Sequence, residues 1–205
     1  MIKFDYVQTS ERLYPKEGTC PLDIILNAFP SIVVSSIKAG NCWIAGGFIR
    51  RWWGNIKQDS DIDLFFSSKE TYDIICTSLD AEAEEPCLVS EFNRMYTIKI
   101  NDEWTINVQC IHHQFYANTE ALLDSFDFTI CQFAYDGTSI CTTELTIIDS
   151  QRKRLVPHKI TFGVSSLRRI VKYSKQGYYM CGGAATSFLN QIKPENIRGE
   201  VISLD

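Results

Sequence analysis

The sequence lacks the features of a membrane or secreted protein. No apolar run approaches the ~20 residues that a membrane-spanning helix needs. The N-terminal stretch Met1–Asp5 does not have the basic and apolar segments of a signal peptide, and no internal repeat or low-complexity segment follows. We therefore expect a soluble, cytoplasmic protein without a membrane partner.

Positive charge is also in short supply. The 205 residues include 20 Lys and Arg against 25 Asp and Glu, which gives a formal net charge of -5. A chain with this balance has no general attraction for a phosphate backbone. The composition therefore argues against a protein dedicated to wrapping RNA and leaves room only for local basic patches.

Cysteine is plentiful, but its usual paired motifs are absent. The eight cysteines contain no C-x-x-C pair, and several lie in apolar, strand-like runs. Buried, reduced thiols of a cytosolic protein explain this pattern better than disulfides or zinc. Cys110, His112 and His113 form the one group that could bind a transition metal. Because no second ligand pair matches them, we interpret them as residues near a strand end.

The chain is long enough for one good core. With 45% apolar residues, 205 residues can form one domain and a small appendage. The order helix, strand, helix and then a cluster of strands predicts an α+β fold, a mixed sheet with helices packed on one side. We expect a compact domain over residues 1–160 and a short helical extension over residues 161–205.

Hydrophobic spacing predicts the individual elements. Trp104–Ile111 is expected to form a hairpin with Arg94–Ile100, with its polar side chains on one face. A helix over Val164–Lys175 is expected to carry Leu167 and Val171 on its apolar side. The other predicted strands are Cys42–Ala45, Asp61–Phe66 and one at Asp127, and the other predicted helices are Asp23–Phe29, Ile32–Ile37, Gly46–Trp53, Lys69–Leu79, Glu120–Leu123 and Thr186–Ile192.

The most informative stretch is a glycine corner. The apolar run Cys42–Ala45 ends in Gly46-Gly47, and a helix-like segment with Arg50 follows. Backbone N–H groups at such a corner, together with a helix N-terminus, offer a binding position for phosphates. Arg50 lies one turn further on, so we expect it to contact phosphate; the alternative is that it caps a helix or pairs with an acid.

Two aspartates follow the corner. Asp61 and Asp63 are one residue apart in a strand-like run, so their carboxylates would share a face. At that distance they repel each other unless a cation lies between them, typically Mg²⁺ or Mn²⁺ with oxygen ligands and substrate phosphates. Alone, the pair could be a solvated strand face. Beside the glycine corner it predicts a metal-dependent site for a nucleoside triphosphate.

These residues resemble the nucleotidyltransferase superfamily that includes DNA polymerase beta, and in particular the head domain of class II CCA-adding enzymes and bacterial poly(A) polymerases. Residues 46–51 are similar to the motif Gly-Gly-x-Val-Arg-Asp, with Arg51 in place of the final Asp. Residues 126–136 are similar to Arg-Arg-Asp-Phe-Thr-x-Asn-Ala-Leu-Ala-Tyr, and residues 169–173 to an Arg-Ala-x-Arg-Phe helix. The similarity covers roughly residues 40–180.

The resemblance implies a role for each matching residue. Asp61 and Asp63 would bind Mg²⁺ or Mn²⁺ and act in catalysis, with Asn107 at the family's third acidic position. The residues expected to bind the nucleotide are Gly46, Gly47, Arg50, Asp127, Arg169 and Lys172. Asp127 has a structural alternative as an acid that caps a turn, and the basic residues of its neighbouring helix could be a solvated face.

Two departures from the family pattern point toward weakened or absent catalysis. An amide at Asn107 brings no charge and cannot serve as a base. Ser125 and Phe126 replace the arginine pair that helps hold the triphosphate in the family. Other acids could compensate, the candidates being Asp59, Asp102 and Glu103.

The expected function is transfer of a nucleotide from an NTP to an acceptor hydroxyl on RNA, a protein or a small molecule, with release of pyrophosphate. The alternative is a catalytically weakened or inactive relative that binds nucleotide or RNA, or regulates a protein partner. A third hypothesis is an interaction protein that keeps only the fold. CCA addition is not expected, because too few residues follow Arg169 to form a tRNA-binding body. The economy of a minimal head domain suggests a viral protein in the host cytoplasm.

Overall fold

The computed structural model describes residues 1–5, 22–53, 61–83, 85–101 and 104–192. Its strands are β1 (Ile2–Asp5), β2 (Cys42–Ala45), β3 (Ile62–Phe66), β4 (Leu88–Val89), β5 (Asn93–Asn101), β6 (Trp104–Ile111), β7 (Phe133–Tyr135) and β8 (Ser139–Thr142). Its helices are α1 (Leu22–Ala28), α2 (Ser31–Lys38), α3 (Gly47–Trp53), α4 (Lys69–Glu82), α5 (Thr119–Asp124), α6 (Glu144–Gln151), α7 (Gly163–Lys175) and α8 (Gly182–Gln191), with a 3-10 turn over Thr129–Cys131.

In the described part of the chain, eight strands form one sheet in the order β1-β8-β7-β2-β3-β6-β5-β4. Strands β3 and β6 are parallel, whereas β2 pairs antiparallel with both β3 and β7. The hairpin of β5 and β6 is antiparallel, as the spacing predicts. This mixed sheet confirms the α+β class, and it places β2, β3, β6 and β5 side by side.

One face of the sheet is buried under helices. Ile44, Leu64 and Val108, on neighbouring strands β2, β3 and β6, belong to a fully buried apolar cluster. The same cluster contains Val33 of α2 and Ile75 of α4, so the predicted helices on this side are in place. Removing apolar surface from water stabilises by about 25 cal/mol per Å², and among the three apolar clusters of the described residues this one has the most buried members.

Short polar side chains begin several helices. Ser68 Oγ accepts a hydrogen bond from the Thr71 N–H at the start of α4. Asn118 Oδ1 does the same for the Ala121 N–H at the start of α5. Such caps satisfy N–H groups that have no partner within a helix. None of the described helices has the length and apolar content required to cross a membrane.

The opposite face of the sheet carries the candidate site. Trp43, Ala45 and Phe65 alternate with the core residues of β2 and β3 and pack with Leu122 and Leu123 of α5 in a smaller apolar cluster. Since strand side chains alternate, Asp63 lies on this same face, beside Phe65. Helix α5 covers only part of it, and the remainder is an open cleft.

A third apolar cluster joins α7 and α8 to the rest of the fold. Phe128, Ile130 and Leu155 pack with Tyr173 of α7 and Phe188 of α8. The Phe128 and Phe188 rings are stacked with centroids 6.4 Å apart. This packing fixes α7 beside the open cleft. The division into residues 1–160 and 161–205 remains a prediction.

The orientation of α7 differs from the prediction. Leu167 and Val171 are 53% and 54% exposed, while Ser166 and Tyr173 are buried. The polar and aromatic side turns inward because Ser166 Oγ donates to the buried Asp127 carboxylate and Tyr173 joins the third cluster. These specific partners outweigh the apolar spacing from which Leu167 and Val171 were predicted to be buried.

The segment at Asp127 is also different from the prediction. A 3-10 turn occupies Thr129–Cys131, and strand β7 begins only at Phe133. The Thr129 hydroxyl donates to the Asp149 carboxylate of α6, a contact that favours the turn. The position before the strand leaves Asp127 buried next to α7 instead of within the sheet.

Candidate functional site

The glycine corner is built as the sequence suggests, but its hydrogen bonds differ. Gly46 has a φ of +79°, a conformation that favours glycine, and its N–H donates to the Phe133 carbonyl at 2.9 Å. That N–H is therefore not available to a phosphate. A Cβ on Gly46 would lie 3.5 Å from Asp63 Oδ2, so the corner meets the second aspartate directly, and Gly47 starts α3 beside it.

The two aspartates lie next to the corner. Asp63 is the partner of Ala45 across β2 and of Gln109 across β6, and Asp61 immediately precedes β3. Burial and the negative charge of Asp61 raise the pKa of Asp63 to about 7, although Arg169 and Lys172 act in the opposite direction. The site therefore holds two close carboxylates whose repulsion a divalent cation would relieve.

The residue beside the aspartates is Gln109, and the prediction of Asn107 for this position is corrected. Gln109 Nε2 donates to Asp61 Oδ2 at 2.6 Å, and its Oε1 accepts from Asn93 Nδ2 at 2.7 Å. Asn107 is exposed outside the cleft and accepts from the Thr97 hydroxyl at 3.3 Å. The register of β6 against β3, which places Gln109 opposite Asp63, decides between the two.

A cleft of about 560 Å³ contains most of these residues. It crosses the sheet from the glycine corner on β2, over β3 and β6, to the start of β5, and α7 forms its far wall. Of the predicted site residues, those that line the cleft are Gly46, Gly47, Arg50, Asp61, Asp63, Asp127, Arg169 and Lys172. The cleft volume lies in the range of sites for nucleotide-sized ligands.

Arg50 is placed differently from a free phosphate ligand. It is 3% exposed, and its guanidinium carbon lies 4.9 Å from the Tyr173 ring centroid and 5.2 Å from that of Tyr178. Its Nη2 donates to Gln176 Oε1 at 3.1 Å. Arg50 therefore ties α3 to the end of α7 while also lining the cleft, and its contact with phosphate remains a prediction.

Asp127 holds α7 in position. Its Oδ2 accepts from Ser166 Oγ at 2.9 Å and from Arg169 Nη1 at 2.8 Å. Among the described residues, its buried Oδ1 has no hydrogen-bond partner. A buried carboxylate oxygen on a cleft wall is costly unless it meets a donor, so a donor group of a ligand would stabilise it.

The arginine pair of the nucleotidyltransferase motif has no direct replacement at positions 125 and 126, where Ser125 and Phe126 stand. Phe126 packs edge-on against Phe65, with centroids 5.7 Å apart, and Ser125 Oγ donates to the Tyr116 hydroxyl. Positive charge reaches the cleft from α7 instead, since Arg169 and Lys172 act electrostatically on Asp63. These two cations therefore act on Asp63 from the opposite wall of the cleft.

Several cleft residues are absent from the predicted set. Gln109 and Asn93 form the amide relay to Asp61. Phe92, His113 and Phe162 form an aromatic cluster with centroids 5.8 to 6.1 Å apart. Gln109 could have been found from the alternating polar face of β6; the aromatic cluster joins three distant segments and leaves no signal in the sequence.

The donor set suits a small, hard cation with few protein ligands. Within the described residues, no group of three or more His, Cys, Asp and Glu side chains is arranged to hold a metal. Asp61 and Asp63 provide carboxylate oxygens, the ligands that Mg²⁺ and Mn²⁺ prefer, and Mg²⁺ usually completes its shell with water and substrate phosphate. The compensating acids Asp59, Asp102 and Glu103 lie outside the described residues.

The fold is that of a nucleotidyltransferase head domain. The structure is similar to a Thermotoga maritima CCA-adding enzyme complexed with tRNA (TM-score 0.62, 17% identity, 93% of this chain and 45% of that chain). It is also similar to a CCA-adding enzyme with CTP (TM-score 0.64, 16% identity, 93% and 45%). A Bacillus stearothermophilus CCA-adding enzyme with CTP gives a TM-score of 0.57 at 12% identity over 80% of this chain and 42% of that one. The chain thus spans less than half of each of these enzymes.

Sequence comparison gives the family. The model of the Gabija anti-defense 2 family matches residues 22–153, more than half of the chain, and the chain belongs to this family. A curated relative, Gabija anti-defense 2 of Bacillus phage SPbetaL7, is 28% identical over 149 residues. That match covers 71% of this chain but 36% of the relative, so the chain spans about a third of the length of the curated protein.

Proposed function

We propose that this protein is a phage-encoded nucleotidyltransferase that counters the Gabija defence named in its family description. The observation that supports it is one arrangement: a side-chain-free glycine corner faces Asp63 Oδ2 in a cleft that also holds Asp61 and the cations of α7. The substrate would be a nucleoside triphosphate, and the acceptor a hydroxyl group of a component of the defence.

Asp61 and Asp63 would bind Mg²⁺ or Mn²⁺ together with the triphosphate. When bound, the divalent cation would neutralise phosphate charge and polarise the reacting phosphate. Asp63 suits this role because its raised pKa reflects an anion held without enough positive charge nearby. Gln109 restrains Asp61 through Oδ2 and leaves Oδ1 for the cation.

The chain's own residues would position the reaction. Gly47 at the start of α3 and Lys172 on α7 line the cleft, and the triphosphate would lie between them. An acceptor oxygen would bond to the α-phosphorus while the bond to pyrophosphate breaks and the hydroxyl proton passes to water. Such transfer is driven mainly by positioning and charge stabilisation, which a site with two aspartates and an amide can provide.

A second candidate is a catalytically silent nucleotide-binding protein. The amide of Gln109 beside Asp61 favours this candidate, because it brings no negative charge and cannot accept the acceptor's proton. In that case the same cleft would bind a nucleoside triphosphate without transferring it, and the bound form would act on the defence through protein contacts.

One transfer experiment separates the two functions. The protein is incubated with each α-labelled NTP, Mg²⁺ or Mn²⁺, purified Gabija proteins and total RNA, and labelled product is measured. We expect labelled product from the wild type and none from Asp63→Ala. The exposed acid Asp73 on α4 provides a matched control, and Asp73→Ala should retain the activity.

The variant Gln109→Glu places a third acid beside Asp61 and Asp63. If the wild type is inactive and Gln109→Glu transfers label, the silent reading is correct and the enzymatic one is wrong. If neither protein transfers label, and Mg²⁺ with NTP does not raise the melting temperature of the wild type, both readings are wrong, because a ligand of the folded state must stabilise it.

A further inference from the structure

Three aromatic side chains from distant segments meet in the cleft. Phe92 immediately precedes β5, His113 lies shortly after β6, and Phe162 immediately precedes α7. The ring centroids lie 5.8 to 6.1 Å apart, and each pair of rings meets edge to face at 63° to 82°. We call these three residues the aromatic cluster. All three line the cleft, so they present aromatic surface to a ligand that the cleft binds.

The aromatic cluster is not part of the core of the fold. Phe92 is 41% exposed, His113 is also exposed, and Phe162 is half-buried. None of the three residues belongs to the three apolar clusters of the described chain. Rings that pack only against one another keep surface in water, and covering that surface with a planar ring is favourable. The cluster therefore suits an aromatic ligand better than a purely structural role.

The register of the sheet places the aromatic cluster and the glycine corner on opposite sides of Asp63. Ala45 pairs with Asp63 in the antiparallel strand β2, so the glycine corner, which follows Ala45, lies toward the start of β3. Gln109 pairs with Asp63 in the parallel strand β6, so the residues from Gln109 to His113 lead toward the end of β3. A ligand with phosphates at the glycine corner would therefore extend past Asp63 to the aromatic cluster.

The distance between Asp63 and the aromatic cluster suits a nucleoside. The His112 N–H donates to the Phe92 carbonyl, so Phe92 lies three residues beyond the level of Gln109 and two strands away from Asp63. Strand geometry makes this separation roughly 10–15 Å between backbones, and side chains on both sides reach into the gap. Arg169 acts electrostatically on both His113 and Asp63, so one arginine lies near both parts of the cleft.

Charge separates the two parts of the cleft. Burial, followed by the charges of His112 and Arg169, lowers the pKa of His113 below its usual range. The imidazole is therefore neutral at about pH 7, and the aromatic cluster presents three uncharged rings. An uncharged base suits this surface, whereas phosphates suit the cations of α7 and a divalent cation at the aspartates.

We propose that the aromatic cluster binds the base of the nucleoside triphosphate, which stacks against Phe92 and Phe162 while the phosphates lie between the glycine corner and the aspartates. This rests on the proposed function and names the part of the cleft that recognises the nucleoside. Every base has a face that can stack on an aromatic ring. The cluster therefore gives affinity for nucleotides over inorganic polyphosphate.

The test compares ATP with inorganic tripolyphosphate, which has the phosphates but no base. Both affinities are measured by isothermal titration calorimetry with Mg²⁺. The double variant Phe92→Leu with Phe162→Leu keeps apolar side chains at the two positions and removes the ring faces. Tyr179→Leu is the control, because Tyr179 is 55% exposed and does not line the cleft. Fluorescence of 2-aminopurine riboside triphosphate, which falls when the base stacks, gives a second readout.

We expect the double variant to bind ATP at least about 10-fold more weakly than the wild type and to bind tripolyphosphate equally well. Retained tripolyphosphate binding shows that the double variant is folded. The control should match the wild type for both ligands. The 2-aminopurine nucleotide should be quenched by the wild type and the control but not by the double variant, and Phe92→Trp alone should keep both the ATP affinity and the quenching.

Wild-type ATP affinity in the double variant, or an equal loss of ATP and tripolyphosphate binding, overturns the proposal. Unchanged ATP affinity with reduced labelling of RNA would assign the aromatic cluster to a base of the acceptor, and this also overturns it. The proposed enzymatic function is judged separately by transfer of label. If ATP binding depends on the aromatic cluster but no label is transferred, the base site stands and the enzymatic function fails alone. No ATP binding to the wild type overturns both.

Discussion

At the scale of single residues, the site combines a carboxylate whose ionised form the fold destabilises, Asp63, with an amide, Gln109, where the resemblance to nucleotidyltransferases predicts an acid. Asp63 lies half-buried near Asp61, and its pKa is raised to about 7. Gln109 holds Asp61 through a hydrogen bond of 2.6 Å. Groups whose ionisation is opposed by the fold are common at functional sites, because function and not stability retains them.

The first prediction concerns the stability cost of Asp63. Its folded-state pKa of about 7 exceeds the value of 3.8 expected when unfolded, so the unfolded chain loses the proton first. The contribution of Asp63 to stability is therefore expected to fall as the pH rises from about 4 to about 7 and to stay lower above that. Asp63→Asn removes the charge and should raise the free energy of unfolding by ~1–2 kcal/mol at about pH 8, with no gain near pH 3.

Denaturant unfolding without metal at the two pH values measures this effect, with Asp73→Asn as a control at an exposed position. An Asp63→Asn protein that is less stable than the wild type at about pH 8 would show that the carboxylate is a structural group, stabilised by its surroundings, and not a strained ligand.

The sequence predicts the polar face of β6 but not which of its polar residues lies in the site. The alternation of β6 predicts that Thr105, Asn107 and Gln109 share a face, and the resemblance to nucleotidyltransferases assigns Asn107 to the site. In the structure Gln109 lines the cleft, whereas Asn107 is exposed outside it. Choosing between them requires the register of β6 against β3, which a parallel pair separated by more than forty residues does not encode locally. The choice of Asn107 was therefore wrong by one step of the alternation.

At the scale of elements, the sequence predicts the central strands. For α7 it predicts the residues of the helix but not the side that packs inward. Strand β2 is apolar and buried throughout and ends at Ala45, and β3 begins at Ile62 and is buried and apolar except at Asp63. Helix α7 was found within one residue of its start, but its inward side is set by Asp127 and the third apolar cluster. Contacts made across the fold decide helix rotation when the apolar stripe is short.

The second prediction concerns the link between α3 and α7. Arg50 is buried between Tyr173 and Tyr178 and bonds to Gln176. Arg50→Lys keeps the charge but loses the planar stacking and the geometry of this bond, so we expect it to lower the free energy of unfolding by ~1–3 kcal/mol. Denaturant unfolding and NTP titration with Mg²⁺ are measured on the same variant.

If Arg50 mainly ties the two helices together, the loss of stability will exceed the loss of NTP binding energy, and NTP will still bind. Normal stability with abolished NTP binding would contradict this reading and show that Arg50 is a direct phosphate ligand. Lys175→Arg, at an exposed position of α7, is the control and should change neither quantity.

At the scale of the whole molecule, the chain has the fold of a nucleotidyltransferase head domain and belongs to the Gabija anti-defense 2 family. The fold class was predictable because the order of elements and two motifs agree with it. The distribution of charge has functional meaning only in the structure, since Arg169 and Lys172 of α7 line the same cleft as Asp61 and Asp63.

The cleft's capacity for a nucleotide with a divalent cation is the claim on which the proposed function depends. Isothermal titration calorimetry with an NTP in the presence of Mg²⁺, and again with EDTA, measures it directly. We predict that the wild type and Asp73→Ala bind only with Mg²⁺ and that Asp61→Ala and Asp63→Ala lose binding by at least about 100-fold. Equal Mg²⁺-dependent affinity in both aspartate variants and the wild type would contradict a nucleotide site at these residues.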